Sequence, residues 1–153
     1  FHSLTGKTMP IDIILDESKK RLQELFEQSK YFDCEVFLEK SGKDLFLLLA
    51  ARFDHDLRQG GFAQFFYNMN GNLLAEVEDM LIQANAVVAH EFYVRAVQAC
   101  IANKYEYDAF LQSDYLSDNA LKNELHAISL DYLACHVDFS FEVCDFVCGS
   151  DLK

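Results

Sequence analysis

The sequence contains no tryptophan, a single proline (Pro10) and six glycines in 153 residues, so the residues that punctuate a chain are scarce. From Asn72 to Cys148 there is neither Gly nor Pro. Hairpin turns draw on these residues for positive-φ positions, so a run of this length argues against an all-β protein and for helices. No run approaches the roughly 20 apolar residues that span a bilayer; Leu45 to Ala51 is interrupted by Arg52. The opening residues, FHSLTGKT, contain no apolar signal-peptide core. Met9-Pro10 fits either a native start behind an expression remnant or an internal methionine. Residues 1–10 are thus read as a tail or remnant, and 11–153 as one all-helical domain. Cations are scarce as well: 13 Lys and Arg face 25 Asp and Glu, a net charge of −12. Such a surplus argues against direct binding to nucleic acid or to an anionic membrane.

What is present suits a folded domain. Hydrophobic residues make up 51% of the chain and aromatics 14%, enough to bury a core without cross-links. The five cysteines, Cys34, Cys100, Cys135, Cys144 and Cys148, are odd in number and scattered. They read as reduced, mostly buried thiols of a cytoplasmic protein.

Apolar spacing predicts an all-α bundle of six or seven helices. A first amphipathic helix begins near Asp12 or Asp16 and carries Leu15, Leu22, Leu25, Phe26 and Phe32. After a short stretch over 33–40, Asp44 to Arg58 reads as a buried helix that Gly60 ends in the left-handed conformation. A short aromatic helix, Phe62 to Tyr67, stops at Asn70-Gly71, and a further helix covers Asn72 to Ala84. In Ala86 to Ala102 the positions Val87, Val88, Phe92, Val94, Ala96 and Ile101 wrap widely, which predicts a central helix. At most a turn or two is expected between Asn103 and Ser117, and Ser117-Asp118 starts the last helical region.

Charge is lopsided: residues 1–60 hold 9 basic and 11 acidic side chains and residues 61–153 hold 4 and 14, so the halves stand at −2 and −10. Glu124, Asp131, Asp138, Glu142 and Asp145 would share a narrow sector if one continuous helix carried them. At the helical rise the row would run about 32 Å, near the roughly 34 Å of one DNA turn. The plainer reading makes these acids the wet face of a helix whose other faces carry Ile128, Tyr132, Phe139, Val143 and Phe146.

Several catalytic signatures fail on spacing. Gly6-Lys7-Thr8 lacks the earlier glycine of a phosphate loop, and Val94 stands where a His90-Glu91 zinc helix needs its second histidine. Cys144 and Cys148 with Cys135-His136 could approach a soft metal, but structural zinc sites usually pair cysteines across a short loop, and buried thiols are favoured. Asp54-His55-Asp56 reads as solubilising surface, with His55 a weak general-base candidate. No cofactor and no metal is expected.

The most distinctive stretch is Gln59-Gly60-Gly61-Phe62-Ala63-Gln64-Phe65-Phe66-Tyr67-Asn68. Paired glycines let one helix stop and the next begin at close quarters, while Phe62, Phe65 and Phe66 form one aromatic face. Gln64 and Asn68, one turn apart, could tie down the loop by hydrogen bonds. A corner of the core is the plainer reading, a ligand pocket the sharper one. The stretch resembles the signature N-G-G-F-x-Q-F-F-Y-N of a bacterial family of unknown function that includes an acidic, all-helical DNA-mimic protein. Gly60, Gly61, Phe62, Gln64, Phe65, Phe66, Tyr67 and Asn68 agree with it, and Gln59 stands where the family has Asn. Downstream, Asn85 replaces a common Gly, and Leu130-Asp131-Tyr132 resembles the last helix of the family. The resemblance covers about residues 44–148 and implies an all-α fold and a homodimer. For the DNA-mimic member it implies occupation of a transcription factor's DNA-binding surface, a property that depends on surface acids and not on the signature.

Two functional expectations follow. One is an acidic protein-interaction module that binds a basic partner, such as a DNA-binding protein, through Glu124, Asp131, Asp138, Glu142 and Asp145. The other is a small-molecule-binding or hydrolytic domain with a pocket by His55, Gln64, Tyr67 and Asn68. A purely structural subunit is a third possibility.

Overall fold

The computed structural model describes residues 11–149; the expected tail at 1–10 lies outside them. The described residues contain nine helices and no strand: α1 (Ile11–Ser29), α2 (Cys34–Leu38), α3 (Gly42–Met69), α4 (Leu74–Gln83), α5 (Val87–Ala102), α6 (Lys104–Gln112), α7 (Ala120–Ala134), α8 (Phe139–Glu142) and α9 (Cys144–Cys148). The expected all-α bundle is therefore what the chain adopts, with no described helix long and apolar enough to cross a membrane.

The hub is α3, which packs on α1, α4 and α7, while α5 lies against α4, α6 and α7. α3 owes this position to a sequence apolar almost all round, from Leu45, Leu48 and Leu49 to Phe53, Phe62, Phe65 and Phe66, all buried. Phe53 meets Phe62, Phe65, Tyr93 and Phe139 with ring centroids 4.9–6.2 Å apart, joining α3, α5 and α8 in one aromatic cluster.

Several elements depart from the expected pattern. Phe32 lies beyond the end of α1 and packs edge-on against Phe37 of α2. Gly60 does not end a helix; the break falls at Gly61, and the helix resumes at once, so two expected helices form the two arms of α3. α5 is not buried all round: Val87 and Ile101 are exposed, and its inner face is Ala89, Phe92, Tyr93, Ala96 and Ala99. Small alanines let neighbouring helices approach closely, which hydrophobicity alone does not reveal. α6 is a full helix of 9 residues, anchored inward by Tyr107 and Phe110. The last helical region is three helices, because α7 stops at Cys135 and His136 takes φ 55°.

Candidate functional site

The glycine pair has a geometric cause. Gly61 adopts φ 71°, ψ −163°, a region closed to residues with a Cβ, and a Cβ there would lie 2.5 Å from Ser129 Oγ on α7. That hydroxyl accepts from the Phe62 amide at 2.9 Å and donates to the Leu125 carbonyl at 2.9 Å. The amide released by the kink is thus satisfied from a neighbouring helix. At Gly60 a Cβ would fall 2.3 Å from Gln64 Oε1.

Gln64 and Asn68 serve a buried carboxylate. The kink brings the two arms of α3 together so that Gln64 Nε2 donates to Asp56 Oδ1 at 3.0 Å and Asn68 Nδ2 to Asp56 Oδ2 at 3.3 Å. Gln64 also donates to Gln59 Oε1, and Arg52 stands 4.0 Å from Asp56. Asp54, on the next face, takes both Nε and Nη2 of Arg58 on one oxygen, at 3.2 and 2.9 Å. Asp54 and Asp56 are both buried, which corrects the reading of this tripeptide as solubilising surface. His55 between them stacks on Phe26 with centroids 3.7 Å apart. Asp54 finds its partner one turn on in the same arm, whereas Gln64 and Asn68 reach Asp56 from beyond the kink, a pairing that no i,i+4 pattern announces. Burial pushes both carboxyls up from the ordinary value, outweighing the hydrogen bonds from Arg58 to Asp54 and from Gln64 to Asp56.

The signature residues therefore hold one another. Phe62, Phe65 and Phe66 are wholly buried, and the Tyr67 hydroxyl donates to the Ser113 carbonyl at 2.5 Å. Gln64 and Asn68 meet at Asp56, whereas Tyr67 turns to Ser113 and His55 to Phe26.

The five candidate acids are spread over three helices instead of one, and the phosphate-spacing argument, which needed a continuous helix, falls with it. Glu124 and Asp131 lie exposed on α7, two turns apart, and Asp131 pairs with Arg95 at 3.1 Å. Asp138 caps α8, accepting from the Ser140 amide at 2.9 Å, and pairs with Lys19 at 3.3 Å. Burial raises its pKa, but the Ser140 hydrogen bonds and the Lys19 charge outweigh it and hold the carboxyl below its ordinary value. Glu142 turns inward to accept from the amides of Val88 and Ala89 at 2.8 and 3.1 Å, capping α5, whose own N-cap, Ala86, has no side chain for the task. Asp145 is exposed in the first turn of α9.

A cleft of about 690 Å³ opens between α1, α3 and the α7–α8 connection. Its walls include Lys19 and Lys20 of α1, Asp54, Leu57 and Arg58 of α3, and Tyr132, His136, Asp138 and Phe139 from the C-terminal part. No residue of this cleft belongs to the aromatic signature, and no local sequence pattern marks it.

Of the described cysteines, all four are free, and only Cys100 is buried; Cys135 is exposed and Cys144 and Cys148 are half-buried, against the expectation of buried thiols. Cys135 sits at the C-terminal end of α7, and Cys144 and Cys148 on the five-residue α9, so these three thiols lie away from the buried centre. Among the described residues no group of His, Cys, Asp or Glu side chains could hold a metal ion.

No curated protein and no solved structure matches the sequence. A family model described as DMP19-like protein matches residues 39–145, a span that runs from the end of α2 to α9 and includes the kink, the Asp56 network and α7. With more than half of its residues in that match, the chain belongs to the DMP19-like protein family.

Proposed function

We propose that the protein is an acidic interaction module whose C-terminal half binds the basic surface of a partner protein, and that this partner is a DNA-binding protein whose nucleic-acid site the carboxylates occupy. One observation carries the reading: the described cations of that half are all engaged within the chain. Arg95 pairs with Asp131, Lys104 with Asp108 at 2.7 Å, and the Lys122 ammonium donates to the Tyr115 carbonyl. Asp79, Glu91, Asp118, Glu124 and Asp145 remain exposed, so the surface projects a negative field that its own cations do not offset.

The acids suited to contact are the exposed ones that cap no helix. Asp138 and Glu142 cap helices, so reversing their charge disturbs the fold together with the surface. Glu124, Asp131 and Asp145 are the appropriate targets. The test is recovery of partners from lysate of the source organism at low and high salt, with double-stranded DNA as competitor. The expected result is a DNA-binding protein displaced by both salt and DNA, and not retained by the triple variant Glu124→Lys, Asp131→Asn, Asp145→Asn. A partner held equally by the variant and insensitive to salt overturns the proposal.

A further inference from the structure

We infer that the cleft between α1, α3 and the α7–α8 connection is a binding site for a small organic anion with an apolar body, separate from the acidic surface that faces the proposed partner. The cleft, about 690 Å³, falls within the roughly 300–1,000 Å³ typical of ligand sites. Its floor is apolar, built on Leu57 and Phe139, both buried, with Leu133 and Val137 at the rim.

The polar groups around that floor are unevenly committed. Both carboxylates that line it are already neutralised: Asp54 by Arg58, and Asp138 by Lys19 and Ser140. Lys20 is exposed and makes no ion pair among the described residues. Arg58 spends Nε and Nη2 on a single Asp54 oxygen, leaving its Nη1 edge for another acceptor, and its side chain is 63% exposed. The exposed His136 adds two ring nitrogens. Positive charge and unused donors thus gather in one place on a protein of net charge −12.

Tyr132 supplies an independent observation. The residue is 5% exposed and lines the cleft, yet its hydroxyl is buried with no hydrogen-bond partner among the described residues. Buried hydroxyls are ordinarily satisfied, and an orphan beside a cavity is accounted for when a ligand supplies the acceptor. An anion seated over Leu57 and Phe139 can accept from Tyr132 and from the free Nη1 edge of Arg58, while Lys20, the one lining Lys or Arg that no carboxylate of the cleft offsets, balances its charge.

The test is calorimetric titration of the full chain with octanoate, octyl phosphate and octyltrimethylammonium, which share an apolar tail and differ in headgroup. At least one anion is expected to bind and the ammonium to bind far more weakly; the two anions distinguish a carboxylate from a phosphate ligand. Lys20→Glu, at an exposed position, is expected to weaken the anion by at least about fivefold. Tyr132→Phe is expected to weaken the anion as well while leaving the melting temperature equal to or above that of the parent, since it removes an unpaired polar atom from a buried site. Binding of the ammonium as tight as that of the anions, no binding by any probe, or an anion affinity untouched by Lys20→Glu overturns the inference. A Tyr132→Phe variant that melts lower would show the hydroxyl already engaged in the empty protein, and would equally overturn it.

Discussion

Gly61 and Asp56 together explain why the glycine–aromatic stretch reads as it does. A methyl group at Gly61 meets both a forbidden backbone region and the Ser129 hydroxyl. Gly61→Ala is therefore expected to destabilise the fold by at least about 2 kcal/mol in a denaturant titration. Adding Ser129→Ala should not rescue it, because the backbone strain remains and the Phe62 amide loses its acceptor. Ser129→Ala alone is expected to lower stability by about 1–3 kcal/mol for the same orphaned amide. At Asp56 the effect is a pH dependence. The folded carboxyl holds its proton to higher pH than the unfolded one, because burial raises its pKa. Between the two values the native state binds more protons, so this group's contribution to stability falls as pH rises through the unfolded and then the folded pKa. Asp56→Asn removes that titration. Its stability relative to the parent is expected to improve from acid to neutral pH, and urea melts at the two pH values would measure the change. A relative stability that worsens over the same interval would show that hydrogen bonding from Gln64 and Asn68 outweighs burial.

The helices show where local pattern suffices and where it does not. Apolar period and missing turn residues were enough for the all-α class, and the spacing of Phe62, Phe65 and Phe66 was enough for a buried aromatic face. The division of the last region into α7, α8 and α9 was not legible, since no Gly or Pro marks it. Its cause is distant: Ser18 of α1 donates to the Ser140 carbonyl at 2.5 Å, Asp138 pairs with Lys19, and Glu142 reaches the start of α5. These contacts draw α8 across the bundle, and a straight continuation of α7 could not make them. The cleft was hidden for the same reason, because its walls come from α1, α3 and the α7–α8 connection, and only the fold brings Lys20, Arg58 and Tyr132 together. Glu142→Ala tests the long-range cap directly. It leaves the Val88 and Ala89 amides without their acceptor and removes a negative charge from the positive end of α5. A loss of about 1–2 kcal/mol is expected, with faster hydrogen exchange at those two amides. Glu142→Gln should recover part of it, because its amide oxygen can still accept.

Charge is the property that only the molecule as a whole displays, and it acts on folding and on binding with opposite signs. A net −12, concentrated at −10 over residues 61–153, makes the folded chain repel itself. In the proposed function the same carboxylates attract the basic partner across the surface. Salt screens both, since the Debye length shortens from about 30 Å at 0.01 M to about 10 Å at 0.1 M. Raising ionic strength over that interval is therefore expected to raise the melting temperature of the free protein and to weaken partner binding. The triple variant at Glu124, Asp131 and Asp145 takes the net charge from −12 to −8. It breaks one exposed ion pair, Asp131 with Arg95, worth at most about 1 kcal/mol, and relieves self-repulsion. Its melting temperature should respond less to salt than that of the parent, and its partner affinity should fall along a shallower salt dependence. Thermal melts and binding titrations across the same salt series separate the two effects. A variant that keeps its fold and loses its partner assigns the contact to these carboxylates. A variant whose affinity and salt slope match the parent's locates the partner elsewhere on the molecule.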